Sequence, residues 1–178
     1  MSMSLALVAP HVRYRKSYLS LVEEFDERGE PPIPFTIGFD CGDFDAFLAR
    51  LANCAQGMDL PEGFVPHSTF WLLENGREVV GVANIRHRLN DKLRRCGGHI
   101  GYGIRPSARG RGLGIEILRH ALIRAAELGV NQALVTVDKI NTASARVILA
   151  NGGALDSEEF LPEQHGIVQR YWIARNAG

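Results

Sequence analysis

Cysteine is scarce in this chain: 178 residues carry Cys41, Cys54 and Cys96, an odd number with no Cys-x-x-Cys pair. That pattern argues against a disulfide framework or a zinc knuckle, and a reducing cytoplasm is the expected location. An excess of charge of either sign is also lacking. Twenty basic and twenty acidic side chains cancel, so no whole-molecule field would recruit nucleic acid or an anionic membrane. Long apolar runs are missing as well. The stretch from Leu5 to Ala9 stops at Pro10, has no basic region ahead of it, and is too short for a signal peptide or a membrane span. His11, His67, His87, His99, His120 and His165 show no metal-ligand spacing, so no bound metal is expected. No repeat, low-complexity segment or linker divides the sequence. With 46% apolar residues, residues 1–178 are expected to fold as one domain around a sizeable core.

What is present centres on residues 99–127. A short apolar strand (Ile100, Tyr102, Ile104) leads through Pro106 into Arg109-Gly110-Arg111-Gly112-Leu113-Gly114, and an amphipathic helix follows at once. A glycine-rich loop opening a helix offers several backbone N–H groups at the positive end of the helix dipole, and Arg109 and Arg111 add full charges. Such a nest suits a phosphate-bearing ligand. There is no Gly-Lys-Ser/Thr, which excludes a nucleoside-triphosphate P-loop. Gly110, Gly112 and Gly114 are spaced by two, which does not match the dinucleotide fingerprint.

Periodicity organises the rest. Helical spacing predicts helices over Tyr14–Arg28, stopped by Gly29, and over Asp43–Gln56, stopped by Gly57, so residues 1–66 read as helices and loops. Between them the proline-rich Pro31–Pro34 is expected to be extended. Thr69–Leu73 and Val79–Ala83 flank Asn75-Gly76, a strong hairpin signal, with the second strand expected to continue to about Leu89. Asn90–Lys92 reads as a turn before a strand over Gly98–Ile104. A helix over Gly112–Leu128 should present Ile117, Leu118, Ala121, Leu122, Ala125 and Leu128 to the core, with Gly129 beyond its end. A strand over Gln132–Val137, joined to the preceding one through a helix, should pair with it in parallel. A helix over Thr142–Ala150 and strands over Ala154–Phe160 and Ile167–Ala174 complete the chain. On the Gly98–Ile104 strand, alternation puts His99, Gly101 and Gly103 on one face. Bare backbone there would let a ligand approach closely, or would admit a helix or mark a bulge.

Arg109-x-x-Gly112-x-Gly114 after a strand ending in Ile-Arg-Pro resembles the pyrophosphate-binding loop of the GNAT superfamily, the acyl-CoA-dependent N-acyltransferases, and the order of elements is similar too. The resemblance covers most of the chain and is strongest over Gly98–Gly153. It implies an α/β (α+β) fold: a mixed, mostly antiparallel twisted sheet with a central parallel pair of splayed strands and flanking helices. It further implies that acetyl-CoA is the co-substrate, held by Ile104, Arg109, Gly110, Arg111, Gly112, Leu113, Gly114, Asn141 and Ser144, and that a primary amine attacks the thioester directly in a ternary complex. A longer acyl-CoA is the other donor to weigh. Homodimers are common in the family, while no feature here specifies one.

His99 stands where many relatives carry glutamate, and an imidazole titrates near neutrality, so His99 is the leading base, ahead of His87. The tyrosine usual on the last helix is replaced by Ile148. Asn141-Thr-Ala-Ser144 instead resembles the Asn-x-x-Ser of the ribosomal-protein N-terminal acetyltransferase branch, which gives Ser144 a hydrogen bond to the departing thiolate. Asn141 and Ser144 would equally serve as a helix cap and a first-turn residue. Nothing places a base beside Cys54 or Cys96, so no covalent acyl-enzyme is expected. Glu23, Glu24, Asp26, Glu27, Asp43, Asp45, Glu158, Glu159 and Glu163 fall in segments that shape the acceptor pocket in the family. They would suit a cationic small molecule or a peptide N-terminus, or simply form solvated faces. The missing tyrosine keeps a second class open, a catalytically silent acyl-CoA-binding sensor or assembly module.

Overall fold

Tyr18, Leu21 and Phe25 recur at helical spacing, and in the computed structural model, which describes residues 4–174, they form the buried face of α1 (Arg15–Arg28). Asp43 opens α2 (Phe44–Gln56), its carboxylate accepting the Ala46 N–H at 3.0 Å, and the helix buries Phe44, Phe47 and Leu51. Both helices pack on one face of a sheet around Trp71, Leu73, Val79 and Val82. Tyr18 stacks on Trp71 with ring centroids 4.4 Å apart.

The hairpin forms where the sequence places it. Asn75 and Gly76 take φ of 52° and 66° between β2 (His67–Glu74) and β3 (Glu78–Arg86), as a tight turn with two positive φ values requires. Two features depart from expectation here. The apolar run near the N-terminus is a strand, β1 (Leu5–Val8), paired antiparallel with β2; four residues are too few for alternation to show. Beyond β3, which stops short of Leu89, residues 90–92 are not a turn but the opening of α3 (Asp91–Arg95), with Asn90 Oδ1 accepting the Leu93 N–H at 2.9 Å. Asparagine serves turns and helix caps alike, so the sequence could not separate them.

β4 (Ile100–Ile104) completes a four-stranded antiparallel sheet in the order β1-β2-β3-β4. α4 (Leu113–Glu127) lays Leu113, Ile117, Leu118, Ala121 and Ala125 on the face opposite α1 and α2, while Leu122 and Leu128 are only partly buried. It leads to β5 (Gln132–Asp138). A second sheet, ordered β5-β7-β6, is formed with β6 (Ala154–Leu161) and β7 (Gly166–Ala174) after α5 (Thr142–Ala150).

The parallel pairing expected of β4 and β5 is not a ladder. Among the described residues no register joins them, and they meet at His99, whose main-chain N–H donates to the Leu134 carbonyl at 2.7 Å. Past that contact β4 stays with β3 and β5 with β7. The reading of the glycine face also changes. Residues 30–34 form a strap across it, with the Ile33 carbonyl seated so closely on Gly103 that any Cβ there would overlap it. The bare backbone on that face accommodates the chain's own strap, since it admits any close neighbour.

Candidate functional site

The site begins with an anchor the sequence did not reveal. Arg105, buried at the end of β4, donates from Nε to Glu24 at 2.6 Å and from Nη1 to Glu78 at 3.0 Å. Glu24 also accepts the Ser107 N–H at 2.9 Å. One arginine thus ties α1, β3 and the start of the loop together. Pro106–Ala108 make one tight 3-10 turn, and the chain enters α4 through Gly112 at φ 79°. No side chain caps α4, so the N–H groups of Leu113 and Gly114 lack both an intrahelical and a side-chain acceptor, while that of Ile115 donates to the Gly112 carbonyl at 3.1 Å. Nothing lies within 4 Å of where a Cβ would sit on Gly110 or Gly112. Gly114 serves packing instead, its Cβ position lying 3.1 Å from Val147 of α5.

β4 supplies the opposite wall. Arg86 donates its N–H to the His99 carbonyl and Arg105 to the Val80 carbonyl, so alternation turns the main-chain groups of Tyr102 and Ile104 away from β3 toward the gap before β5. The Ile104 carbonyl accepts Arg109 Nε at 3.2 Å on that side. On α5, Asn141 caps the helix by accepting the Ser144 N–H at 3.1 Å.

These pieces enclose a cleft of about 550 Å³. Of the predicted binding residues, it brings together Ile104, Arg109, Gly110, Gly112, Leu113, Gly114, Asn141 and Ser144. Arg111 is not among the lining residues; it pairs with Glu74 of β2. Arg109 reaches Glu30 at the base of the strap through two bonds of 2.9 and 2.7 Å, and this guanidinium holds the Glu30 carboxyl below its ordinary range.

His99 lies outside the cleft lining and is buried. Its Nδ1 accepts the Leu134 N–H at 2.9 Å, which leaves the proton of a neutral ring on Nε2. Burial, with Arg94 and Arg86 nearby, pushes its pKa down to about 4. As placed, His99 has no free lone pair with which to take a proton. His87 pairs with Ser68 at 2.8 Å through Nε2, and burial lowers it too. Ile148, at the usual tyrosine position, is a buried core residue. Burial pushes the thiols of Cys41, Cys54 and Cys96 up, away from nucleophilic character.

Several acidic residues of the supposed acceptor region have structural partners. Glu24 binds Arg105, Asp43 caps α2, Glu158 meets Lys139 at 2.9 Å, and Glu159 meets Arg95 at 2.7 Å and Arg170 at 2.8 Å. Among the described residues no group of His, Cys, Asp and Glu is arranged to hold a metal ion, and no helix is long and apolar enough to cross a membrane. Besides Arg105, sequence reasoning missed Tyr102 as a cleft residue; the cleft gathers it with residues of distant elements, which left no local signal.

Comparison with known proteins agrees with this geometry. The family model for the GNAT acetyltransferase domain matches residues 40–154. No curated protein matches the chain in sequence. Among solved structures, RimJ of Mycobacterium smegmatis, in complex with a CoA disulfide, is 18% identical with a TM-score of 0.69, over 96% of this chain and 82% of that one. An acetyltransferase of Salmonella typhimurium that modifies the N-terminal serine of a 50S ribosomal protein is 16% identical with a TM-score of 0.67, over 98% and 97%. The yncA protein of Salmonella typhimurium, with its cofactor acetyl-CoA, is 15% identical with a TM-score of 0.62, over 100% and 96%. At these identities the likeness is one of fold, and the family model carries the assignment: the chain belongs to the GNAT acetyltransferase family of acyl-CoA-dependent N-acetyltransferases.

Proposed function

We propose that this protein moves an acetyl group from acetyl-CoA to a primary amine by direct attack in a ternary complex. The observation that carries the reading is the single cleft that gathers the Arg109–Gly114 loop, the uncapped start of α4, the free edge of β4 and the Asn141–Ser144 turn. Each part has one task. Backbone N–H groups at the α4 terminus, with Arg109, would hold the pyrophosphate. The main-chain N–H groups of Tyr102 and Ile104 would polarise the thioester carbonyl, and Ser144 would donate to the departing sulfur. Acetyl-CoA supplies an activated acyl group, so no protein nucleophile is required. His99 fits a positioning task at the β4–β5 junction better than that of a base, because its lone pair is committed.

The Salmonella typhimurium neighbour that modifies the N-terminal serine of a 50S ribosomal protein supports a polypeptide α-amine as the first acceptor to try, ahead of cationic small molecules. The test is calorimetric titration with acetyl-CoA, with NADH and ATP as controls, followed by an acceptor screen reporting free thiol. Selective binding of acetyl-CoA with amine-dependent thiol release is the expected result. Binding without turnover by any amine would favour a sensor, and no binding by folded protein would leave the loop as a helix opening only.

A further inference from the structure

Within the cleft, the hydroxyl-bearing side chains among the lining residues are Tyr102 and Ser144, and the lining includes no histidine, cysteine or lysine. The phenol oxygen of Tyr102 is shut off from solvent and makes no hydrogen bond among the described residues. A buried polar group without a partner costs about 1–3 kcal/mol, so an unsatisfied hydroxyl at a cleft wall requires a reason. The other hydroxyl among the residues lining this cleft is that of Ser144. Burial pushes the Tyr102 phenol up to about 12, and Ser144 offsets part of that rise. The two residues line one cleft, Tyr102 from β4 and Ser144 from the first turn of α5, and the phenol makes no hydrogen bond to the serine.

We infer that Tyr102 is a positioning residue for acetyl transfer: its phenol donates to Ser144 Oγ, and the Ser144 O–H is thereby directed to the sulfur of the bound CoA. The inference rests on the acetyl-CoA reading above. In the transfer step the amine nitrogen forms a bond to the acetyl carbon, the carbon–sulfur bond breaks, and its electron pair stays on sulfur. The proton lost by the amine passes to water. Tyr102 and Ser144 keep their protons, and the sulfur's charge is spread into the Ser144 hydrogen bond. A phenol so resistant to ionisation suits this task, because giving its proton to a thiolate, whose ordinary pKa is near 8.5, would run uphill. Ser144 alone has a freely turning hydroxyl; the second donor leaves it one useful orientation.

The test needs no acceptor. CoA and desulfo-CoA are titrated at pH 9 into the wild type, Tyr102→Phe, Ser144→Ala and the double variant, with thermal unfolding as the check on folding. The wild type should bind CoA about tenfold more tightly than desulfo-CoA, the size expected of one hydrogen bond to a charged group. Tyr102→Phe should lose most of that preference and keep its desulfo-CoA affinity. Ser144→Ala should abolish the preference, and adding Tyr102→Phe to it should change nothing further. A full preference retained in Tyr102→Phe, or in Ser144→Ala, overturns the inference. Equal affinity of the wild type for both ligands also overturns it while leaving the CoA site intact. Failure of the folded wild type to bind either ligand overturns the reading beneath it.

Discussion

At the scale of single residues, the loop glycines and arginines do separable work. Gly112 combines a positive φ with open space before its backbone. Gly112→Val should therefore remove acetyl-CoA binding in calorimetry and also lower stability by about 1–2 kcal/mol, the cost of a left-handed conformation for a residue with a Cβ. An unchanged dissociation constant would move the phosphate site elsewhere. Arg109 is already engaged with Glu30, at 2.7 Å on its nearer oxygen. Releasing it in Glu30→Gln should tighten CoA binding several-fold at low salt, and the gain should shrink as salt screens the phosphate attraction. Arg109→Ala should do the opposite, again most visibly at low salt. The phosphate loop was legible in the sequence because its signal is local: strand, proline, arginines, glycines and helix follow one another in the chain. The partners of those arginines were not, because Glu30 and Glu74 lie 79 and 37 residues away.

At the scale of elements, the meeting of β4 with β5 decides the shape of the site. Gly98 turns the chain just before β4 at φ 58°, and a Cβ there would overlap the Leu134 carbonyl. Gly98→Ala should part the two sheets at their shared contact, lowering stability by roughly 1–3 kcal/mol as overpacked substitutions do, read as a fall in thermal midpoint. Gly103→Ala acts on the other face by displacing the Ile33 carbonyl. It should free the strap and change protease sensitivity at residues 30–34 more than it changes the midpoint. The helices α1, α2, α4 and α5 and the β2–β3 hairpin were legible, since caps and periodicity are properties of neighbouring residues. β1 and α3 were too short to show a period. The glycines of β4 announced a close approach, and only the folded chain could say that the visitor is its own strap.

At the scale of the molecule, two buried histidines make stability depend on pH. His67 and His99 are both pushed down to about 4, chiefly by burial, with arginines adding to the effect. Each therefore binds a proton more readily in the unfolded chain, whose histidines titrate near 6.5. The stabilisation from keeping them neutral is complete above that value and is lost as pH falls from about 6.5 toward 4. The thermal midpoint should be level from pH 8 to 7 and drop by several degrees by pH 5, at about 2–4 °C per kcal/mol for a chain of this size. A midpoint unchanged over that range would mean that protonation of these rings is matched in the unfolded state.

The order of amphipathic segments, the Asn75-Gly76 turn and the glycine-arginine loop opening a helix were determined by the sequence alone, because each depends on backbone preferences and side-chain spacing within one or two turns of chain. Tertiary structure decided the rest: that β4 and β5 part after their backbones meet at His99, that Tyr102 and Ser144 line one cleft, and that His99 yields its lone pair to Leu134. Those outcomes follow from packing between residues 35 and 42 positions apart. A histidine's usefulness as a base is set by which hydrogen bond its ring nitrogen has already made.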